Sequence, residues 1–590
     1  MGDTAFSTPA PALEEALAAL RASAVAWAAT PFERRAALAR ECAQLSVGVA
    51  EAMAADAVAY KGTYEVGDGE EMCVWAATPA VLNDLAHSRD ALGAKRQRCP
   101  TAVRWRAAAG GAQQAVARVF PDPLFEHLLF SGYEGELWLQ PGAVRAPLPA
   151  PALARPRALT PARHRRRQAP SFGGEAVLGG AGEVCLVLGA GNQAVVAVAD
   201  VALKCLVHGA ACVLKMNPVN EWAGPHIEKC LKPLIDAGGL RVVYGGPDVG
   251  RTLTSHPAVQ TVHITGSDKT YDAIVWGGQP KREGEAPPYT KPVSAELGCI
   301  TPYVLVPGRW SEADLEAKAA EVVAAVAHNA SCNCLAAKVL LLGRNWPQRD
   351  AFLAVLRRRF AESARRAAFY PGATEKYDAF VAAYPGAEQL GAACDAAPGV
   401  GLRTLPVLLL PPAPPDASDK ALVDEAWSPV LALREVDTPA GDIPAFLRAA
   451  ADTLNDRVWG TLSCSVFVHP ATEREHAAAF ETFLGELRYG SIGVNVPTIL
   501  SYFTPALAWG GFPGAHTAAD IGSGTGQIHN TRLMDNVQKS VLRAPWNPAV
   551  TPFWSPAHGD MQALSRAIVH YMATPNVVNL VRVIVHAAKG

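Results

Sequence analysis

The chain has 590 residues, half of them apolar, enough for two or three domains with large cores. A formal net charge of -2 at pH 7 gives no global electrostatic reason to bind nucleic acid or an anionic membrane. Twelve cysteines are scattered without the paired spacing of a secreted framework or a zinc ribbon, so reduced, intracellular thiols are expected.

Leu13, Leu17 and Leu20, then Leu38, Cys42 and Leu45, recur at helical spacing and predict two or three amphipathic helices over residues 10–60. Helical pattern continues to about residue 115. Glu136–Gln140 reads as a strand stopped by Pro141-Gly142. Residues 146–170 are rich in proline and carry Arg163, Arg165, Arg166 and Arg167. No aromatic interleaves with these arginines, so the stretch reads as a solvated insertion.

From Glu183 the texture changes to strand–helix alternation. Strands are predicted over 184–188, 211–214, 241–244 and 261–264, and helices over 194–208, 227–237 and 249–254. This is the pattern of a doubly wound parallel sheet of the nucleotide-binding type. A second region from Lys291 to about Pro470 has helices near 313–327, 349–366 and 443–453. Its strands fall near 302–306, 338–342, 404–410 and 461–468, with a surface loop at Pro411–Pro415. Two apolar helical patterns follow near 562–573 and 576–588.

No stretch reads as a membrane-spanning helix. Tyr489–Ala519, which lacks Asp, Glu, Lys and Arg, is broken by Pro497, Pro505 and Pro513. The N-terminus shows no basic leader before an apolar core, and Phe6 stands where a myristoylation signal needs Ser or Thr. A cytoplasmic location is expected.

Several segments carry chemistry. Gly189-Ala-Gly191-Asn-Gln-Ala194 follows a strand and opens a helix, matching the Ala-ending form of the dinucleotide fingerprint. The acid expected about 20 residues on is replaced by Lys215. Gly266-Ser267 ends a strand and starts a helix, where backbone N–H groups suit a pyrophosphate and Ser267 alone suits a cap. Glu296 stands near a strand end, where partial desolvation makes a general base. Asn329–Ala336 joins a helix to a strand and holds Cys332 and Cys334; a thiol on such an element end can be reached and activated, whereas a packed one is inert.

Taken in order, these segments resemble the aldehyde dehydrogenase superfamily, in a divergent branch, from about residue 20 to residue 540. Asn192 matches the oxyanion asparagine, Lys215 the ribose lysine of Val-Leu-Lys, and Gly266-Ser267 the Thr-Gly-Ser pyrophosphate turn. Glu296-Leu-Gly298 matches Glu-Leu-Gly-Gly. Asn329–Ala336 resembles Asn-x-Gly-Gln-x-Cys-x-Ala with Cys334 on the nucleophile, and Glu425-Ala-Trp427-Ser-Pro429 is similar to Glu-x-Phe-Gly-Pro. There are departures: Ser331-Cys332 replaces Gly-Gln, Cys299 replaces the second Gly, and Met216-Asn217-Pro218 replaces Pro-Ser-Glu. Glu221 lies beyond the usual offset of the acid that selects NAD.

The resemblance implies an α/β fold in four segments. Residues 1–290 would hold N-terminal helices and the NAD(P)-binding domain, and 291–485 the catalytic domain with its nucleophilic cysteine. Residues 486–543 would form the return and oligomerisation arm, and 544–590 a helical extension. It also implies oxidation of an aldehyde with NAD or NADP. Cys334 attacks, Asn192 and the Cys334 N–H hold the oxyanion, and Glu296 activates water against the thioester, while Lys215, Gly266, Ser267, Glu425 and Trp427 hold the cofactor. No metal is implied. Coenzyme A in place of water, or a catalytically silent assembly subunit, are the alternative readings. Family assembly through an arm implies a homodimer or homotetramer, to which the apolar terminal helices could contribute. Cys332 and Cys299, close to the nucleophile, read as small packed residues in preference to redox partners.

Overall fold

The computed structural model describes residues 6–62, 67–93, 100, 102–122, 124–143, 182–282, 284–392, 402–414, 416, 418–514, 516–547 and 558–589. The proline- and arginine-rich stretch 146–170 lies outside the described residues.

Near the N-terminus are α1 (Ala10–Ala28), α2 (Phe32–Lys61), α3 (Gly67–Trp75) and α4 (Ala77–Gly93), of which the last three pack against one another. In α1 the predicted stripe Leu13, Leu17 and Leu20 is buried. By length and composition α2 could cross a membrane, but half of its apolar window is buried, with Cys42, Val49 and Met53 in the core. The expected helical continuation to residue 115 is corrected. Two strands, β1 (Ala102–Ala107) and β2 (Gln113–Phe120), occupy it, paired antiparallel with each other. Arg104 and Arg106 hid the alternation: both guanidiniums lie over the Trp138 ring, at 5.5 and 4.6 Å.

The next strands are β3 (Glu134–Leu139), β4 (Val184–Leu188), β5 (Ala211–Lys215), β6 (Leu240–Val243), β7 (Thr261–Thr265) and β8 (Val293–Glu296). Buried on both faces, β4 and β5 are continuous apolar runs, as parallel strands must be. They form a parallel sheet in the order β6-β5-β4-β7-β8. The predicted helix 194–208 is α-helical over Ala194–Val201 and widens into a π-helix over Ala202–Val207. That over 227–237 is split into Gly224–Cys230 and Lys232–Asp236.

The remaining strands are β9 (Pro302–Leu305), β10 (Val339–Gly343), β11 (Arg366–Ala367), β12 (Glu388–Leu390), β13 (Thr404–Leu405), β14 (Val407–Ala413), β15 (Val430–Val436), β16 (Ser463–Phe467), β17 (Ser491–Val494), β18 (Ala508–Gly510), β19 (Gln527–His529) and β20 (Val537–Arg543). An eleven-stranded sheet runs β1-β2-β3-β20-β17-β16-β9-β10-β15-β14-β12. Its middle, from β20 to β14, is parallel. Pro411 and Pro412, expected in a loop, instead end β14. A register shift between Leu410 and Ala413 accommodates two residues that cannot donate to the ladder. The closing helices Met561–Ala573 and Val577–Ala587 bury Leu564, Ile568 and Leu580 but leave Val577, Val581 and Ile584 exposed.

Candidate active site

Helix Glu312–Ala327 starts on a capping box from Ser311 and Asp314 and aims its C-terminal end at the Cys334 turn. Asn329, Ala330 and Ser331 then take φ of 50°, 52° and 64°. Three successive left-handed residues with Cβ atoms cost about 1–2 kcal/mol each. Buried hydrogen bonds offset that cost. The Asn329 N–H donates to Glu70 Oε1 at 2.9 Å, and Asn329 Nδ2 donates to Asn192 O, Cys332 O and Asn333 Oδ1 at 3.1–3.2 Å. Lys61 Nζ donates to Asn329 Oδ1 at 3.0 Å and to Glu71 Oε1 at 2.8 Å. Lys338 Nζ donates to Ser331 O at 2.6 Å and Ser331 Oγ at 2.9 Å. Ser331 therefore keeps a backbone shape suited to glycine, with a buried ammonium holding it there.

This turn presents Cys334. Among the described cysteines it is half-buried and the others are buried; Cys99 and Cys394 lie outside the described residues. Cys334 Sγ lies 3.7 Å from Glu296 Oε1, which also accepts the Trp509 Nε1–H at 2.9 Å. Burial pushes the Cys334 thiol well up, and the Glu296 and Glu425 carboxylates add to the shift. Glu296 is pushed up to about 8, by burial first and by Asp200 second, against the Trp509 and Cys334 hydrogen bonds. Its Oε2 is buried without a partner among the described residues.

Asn192 is buried beside the same turn. Its Nδ2 donates to Cys332 O at 3.1 Å, fixing the amide against the peptide just before Asn333 and Cys334. Cys332 is sealed, with its thiol near Trp427 O and burial pushing it up to about 12. Cys299 is buried too, and its N–H donates to Glu425 Oε1 at 3.2 Å.

A second group of polar residues lines the carboxyl end of the five-stranded sheet. Lys215 ends β5, is buried, and its Nζ makes no hydrogen bond among the described residues; burial pushes it down to about 8, against Asp248 and Glu221. Glu221 was out of reach by sequence offset. The Asn217 side chain accepts the Val219 N–H at 3.0 Å and starts the turn Pro218–Ala223, which brings the acid back within electrostatic range of Lys215. The Asn217-Pro218 pair was the available signal.

The Gly189–Ala194 fingerprint is corrected to a packing turn at Gly191. A Cβ there would lie 2.8 Å from Asn217 Oδ1 and from the Tyr370 hydroxyl, so close packing of protein is enough to require this glycine. At Gly266 the nearest atom to such a Cβ is 3.6 Å away, leaving that backbone open. Ser267 accepts the Thr270 N–H at 3.2 Å and caps helix Asp268–Val275. Glu425 is pushed up to about 7 by burial, against Lys338 and Lys376. Trp427, at φ 47°, packs edge-on to Tyr370 with centroids 5.5 Å apart, and its Nε1 is buried without a partner among the described residues. An unbonded ammonium, an unbonded indole N–H and open backbone at a helix start fit a ligand bearing hydroxyls and phosphates. A cavity of about 360 Å³ opens elsewhere, beside Leu203, Val207, His516 and His529, and is not lined by Cys334, Asn192 or Glu296.

Residues 182–367 match the model of the aldehyde dehydrogenase family. Betaine aldehyde dehydrogenase 2 of Rhizobium meliloti (strain 1021) is 29% identical over 179 residues, 30% of this chain and 34% of that protein. The NADP-dependent glyceraldehyde-3-phosphate dehydrogenase of Scenedesmus vacuolatus is 30% identical over 139 residues, 23% of this chain and 53% of that protein. The matched segments thus span about a third and about half of these curated relatives. Among solved structures, aldehyde dehydrogenase C of Pseudomonas syringae, in complex with NAD+ and octanal, superposes with TM-score 0.59 at 17% identity over 93% of each chain. The NAD-dependent aldehyde dehydrogenase of Sinorhizobium meliloti gives 0.57 at 19% identity, over 92% of this chain and 89% of that one. In sequence, residues 182–367 are thus similar to the aldehyde dehydrogenase family, and over about nine-tenths of its length the chain has the fold of solved aldehyde dehydrogenases.

Proposed function

We propose that the protein oxidises an aldehyde to a carboxylic acid with NAD or NADP, through a thioester on Cys334. The observation that carries this reading is the half-buried Cys334 Sγ, 3.7 Å from Glu296 Oε1, on a turn held in shape by buried bonds from three other segments. Glu296, once ionised, takes the thiol proton, and the thiolate adds to the aldehyde carbonyl. Negative charge develops on the carbonyl oxygen, where the Cys334 N–H and the remaining Asn192 Nδ2 hydrogen are the nearby donors. The nicotinamide supplies the hydride acceptor. Lys215 and Glu425 would hold its ribose groups, with the Trp427 ring beside them and the Gly266-Ser267 turn at the pyrophosphate. After passing the thiol proton to solvent, Glu296 takes a proton from water as the water oxygen bonds to the acyl carbon. The carbon–sulfur bond breaks and Cys334 leaves as thiolate.

The test is a panel of aldehydes with each nicotinamide, following reduced-nicotinamide absorbance. Wild type should turn over at least one aldehyde and Cys334→Ala none; retained turnover in that variant overturns the reading. Glu296 at the nucleophile favours water as the acyl acceptor, and coenzyme A should therefore leave the rate unchanged. Loss of one oxyanion donor in Asn192→Ala should lower kcat roughly several-hundredfold. In this reading, residues 486–543 and the exposed Val577, Val581 and Ile584 belong to an assembly interface of a homodimer or homotetramer.

A further inference from the structure

The cavity of about 360 Å³ has a wall that the chemistry above leaves unused. His529, which ends β19, lines it and is 4% exposed, yet neither of its ring nitrogens has a hydrogen-bond partner among the described residues. His516 lines the same space, and its Nδ1 is buried without a partner as well. Buried polar atoms left unpaired are costly, so two such imidazoles facing a cavity call for something that bonds them. The backbone of this wall is also held in a sparsely populated shape. His529, Asn530, Leu533 and Asn536, all lining the cavity, take left-handed φ of 64°, 48°, 56° and 56°.

Packed aromatic rings join this wall to the candidate active site. The His529 ring lies edge-on to Tyr502 with centroids 4.8 Å apart, and Tyr502 lies edge-on to Trp509 at 5.4 Å. The Tyr502 hydroxyl is buried without a partner among the described residues. Trp509 in turn donates its Nε1–H to Glu296 Oε1 at 2.9 Å. The cavity is also lined by Leu203 and Val207, from the π-helix that prolongs helix Ala194–Val201, whose start follows Asn192.

The lining selects a chemistry. Burial pushes His529 down to about 4, against Asp200, so at neutral pH its imidazole offers one N–H and one lone pair. Among the described residues of the lining there is no lysine or arginine, so nothing there neutralises a carboxylate or phosphate. Asp535, the lining carboxylate, already has a partner, and a quaternary ammonium would leave both His529 nitrogens unbonded. A hydroxyl donates and accepts at once, and so answers both. We propose that this cavity is a binding site for a neutral molecule carrying several hydroxyl groups, with His529 bonding the hydroxyls and Leu203, Val207 and Met534 against the carbon chain. Two sources share that chemistry: the tail of the aldehyde itself, and a separate polyol. The site does not depend on the oxidation reading.

The test uses the full chain and ligand-observed NMR titrations with erythritol, n-butanol, erythronate and choline. Erythritol should bind roughly tenfold more tightly than each of the other three. His529→Leu should weaken erythritol about tenfold, and His529→Asn, which keeps a donor and an acceptor and tolerates left-handed φ, should restore most of the affinity. Thr525→Trp blocks the cavity from an exposed position and should abolish binding; it decides the matter if His529→Leu does not fold. The site is overturned if erythritol fails to bind wild type, if any of the other three probes binds as tightly, or if erythritol affinity is unchanged in the folded variants. Turnover of erythrose then separates the two sources. Erythritol competing with erythrose assigns the cavity to the aldehyde tail, and erythritol bound without competing assigns it to a separate polyol. Absence of turnover with any aldehyde overturns the oxidation reading instead, and the titrations still decide the cavity.

Discussion

The turn that carries Cys334, ahead of β10 in the large sheet, and the carboxyl edge of the smaller sheet, where Lys215 ends β5, are bonded in opposite ways. At the turn, Asn329 and Ser331 have partners supplied from α2, α3 and Lys338 just before β10, and Asn333 bonds to His328 within the turn. At the edge, Lys215 Nζ and Trp427 Nε1 have no hydrogen-bond partners among the described residues. Cys334 is held by the protein alone, so its geometry does not wait for a ligand. The edge keeps polar hydrogens unused, which is the state expected of a surface that completes its bonding with something brought from solution.

This contrast is broken most directly at Lys61. Lys61→Met leaves Glu71 buried and unpaired and removes a donor from Asn329, so urea unfolding should show a loss of about 3–5 kcal/mol. A loss under about 1 kcal/mol would mean that the turn is not held from α2. The matching change at the edge should behave differently. Lys215→Met breaks no hydrogen bond, so stability should stay within about 1 kcal/mol while cofactor affinity falls about tenfold, about 1.4 kcal/mol by titration calorimetry. Equal losses in both measurements would erase the distinction.

A subtler effect is expected at the nucleophile. Burial is the larger cause of the raised Cys334 thiol, and the Glu296 carboxylate the next. A thiol loses its proton as pH rises, so removing the neighbouring negative charge lowers the pH at which thiolate forms. Glu296→Gln should therefore speed iodoacetamide labelling of Cys334 at mildly alkaline pH, roughly threefold to tenfold. Slower labelling would show that the carboxylate helps the thiol by taking its proton more than it hinders by its charge. The smallest effect is expected for Ser331→Gly. Relief of about 1–2 kcal/mol of left-handed strain is opposed by loss of the Lys338–Oγ bond, leaving stability within about 1 kcal/mol of wild type.

Legibility followed locality. β4 and the body of β5 could be read because they are continuous apolar runs. Cys334 and Glu296 could be read because short segments around them resemble family motifs. β1 could not, because Arg104 and Arg106 spread their stems over Trp138 and make the strand look like a polar helix face. Lys61 and Glu70 left no signal either. Each acts on the site through a contact with a residue far away in the chain, and a Lys or Glu in a helix has no distinguishing neighbours. Glu221 was within reach had the Asn217-Pro218 turn been weighed as a fold-back.

The position of β20 has a consequence for biosynthesis. Although it is the last strand among the described residues, it sits inside the large sheet, between β3 and β17. A nascent polypeptide still missing residues 537–543 has two half-sheets with facing unpaired edges, which cannot be sewn together until those residues are made. Until then those edges are open to strangers, and the interval before β20 emerges is when the protein has most need of a chaperone.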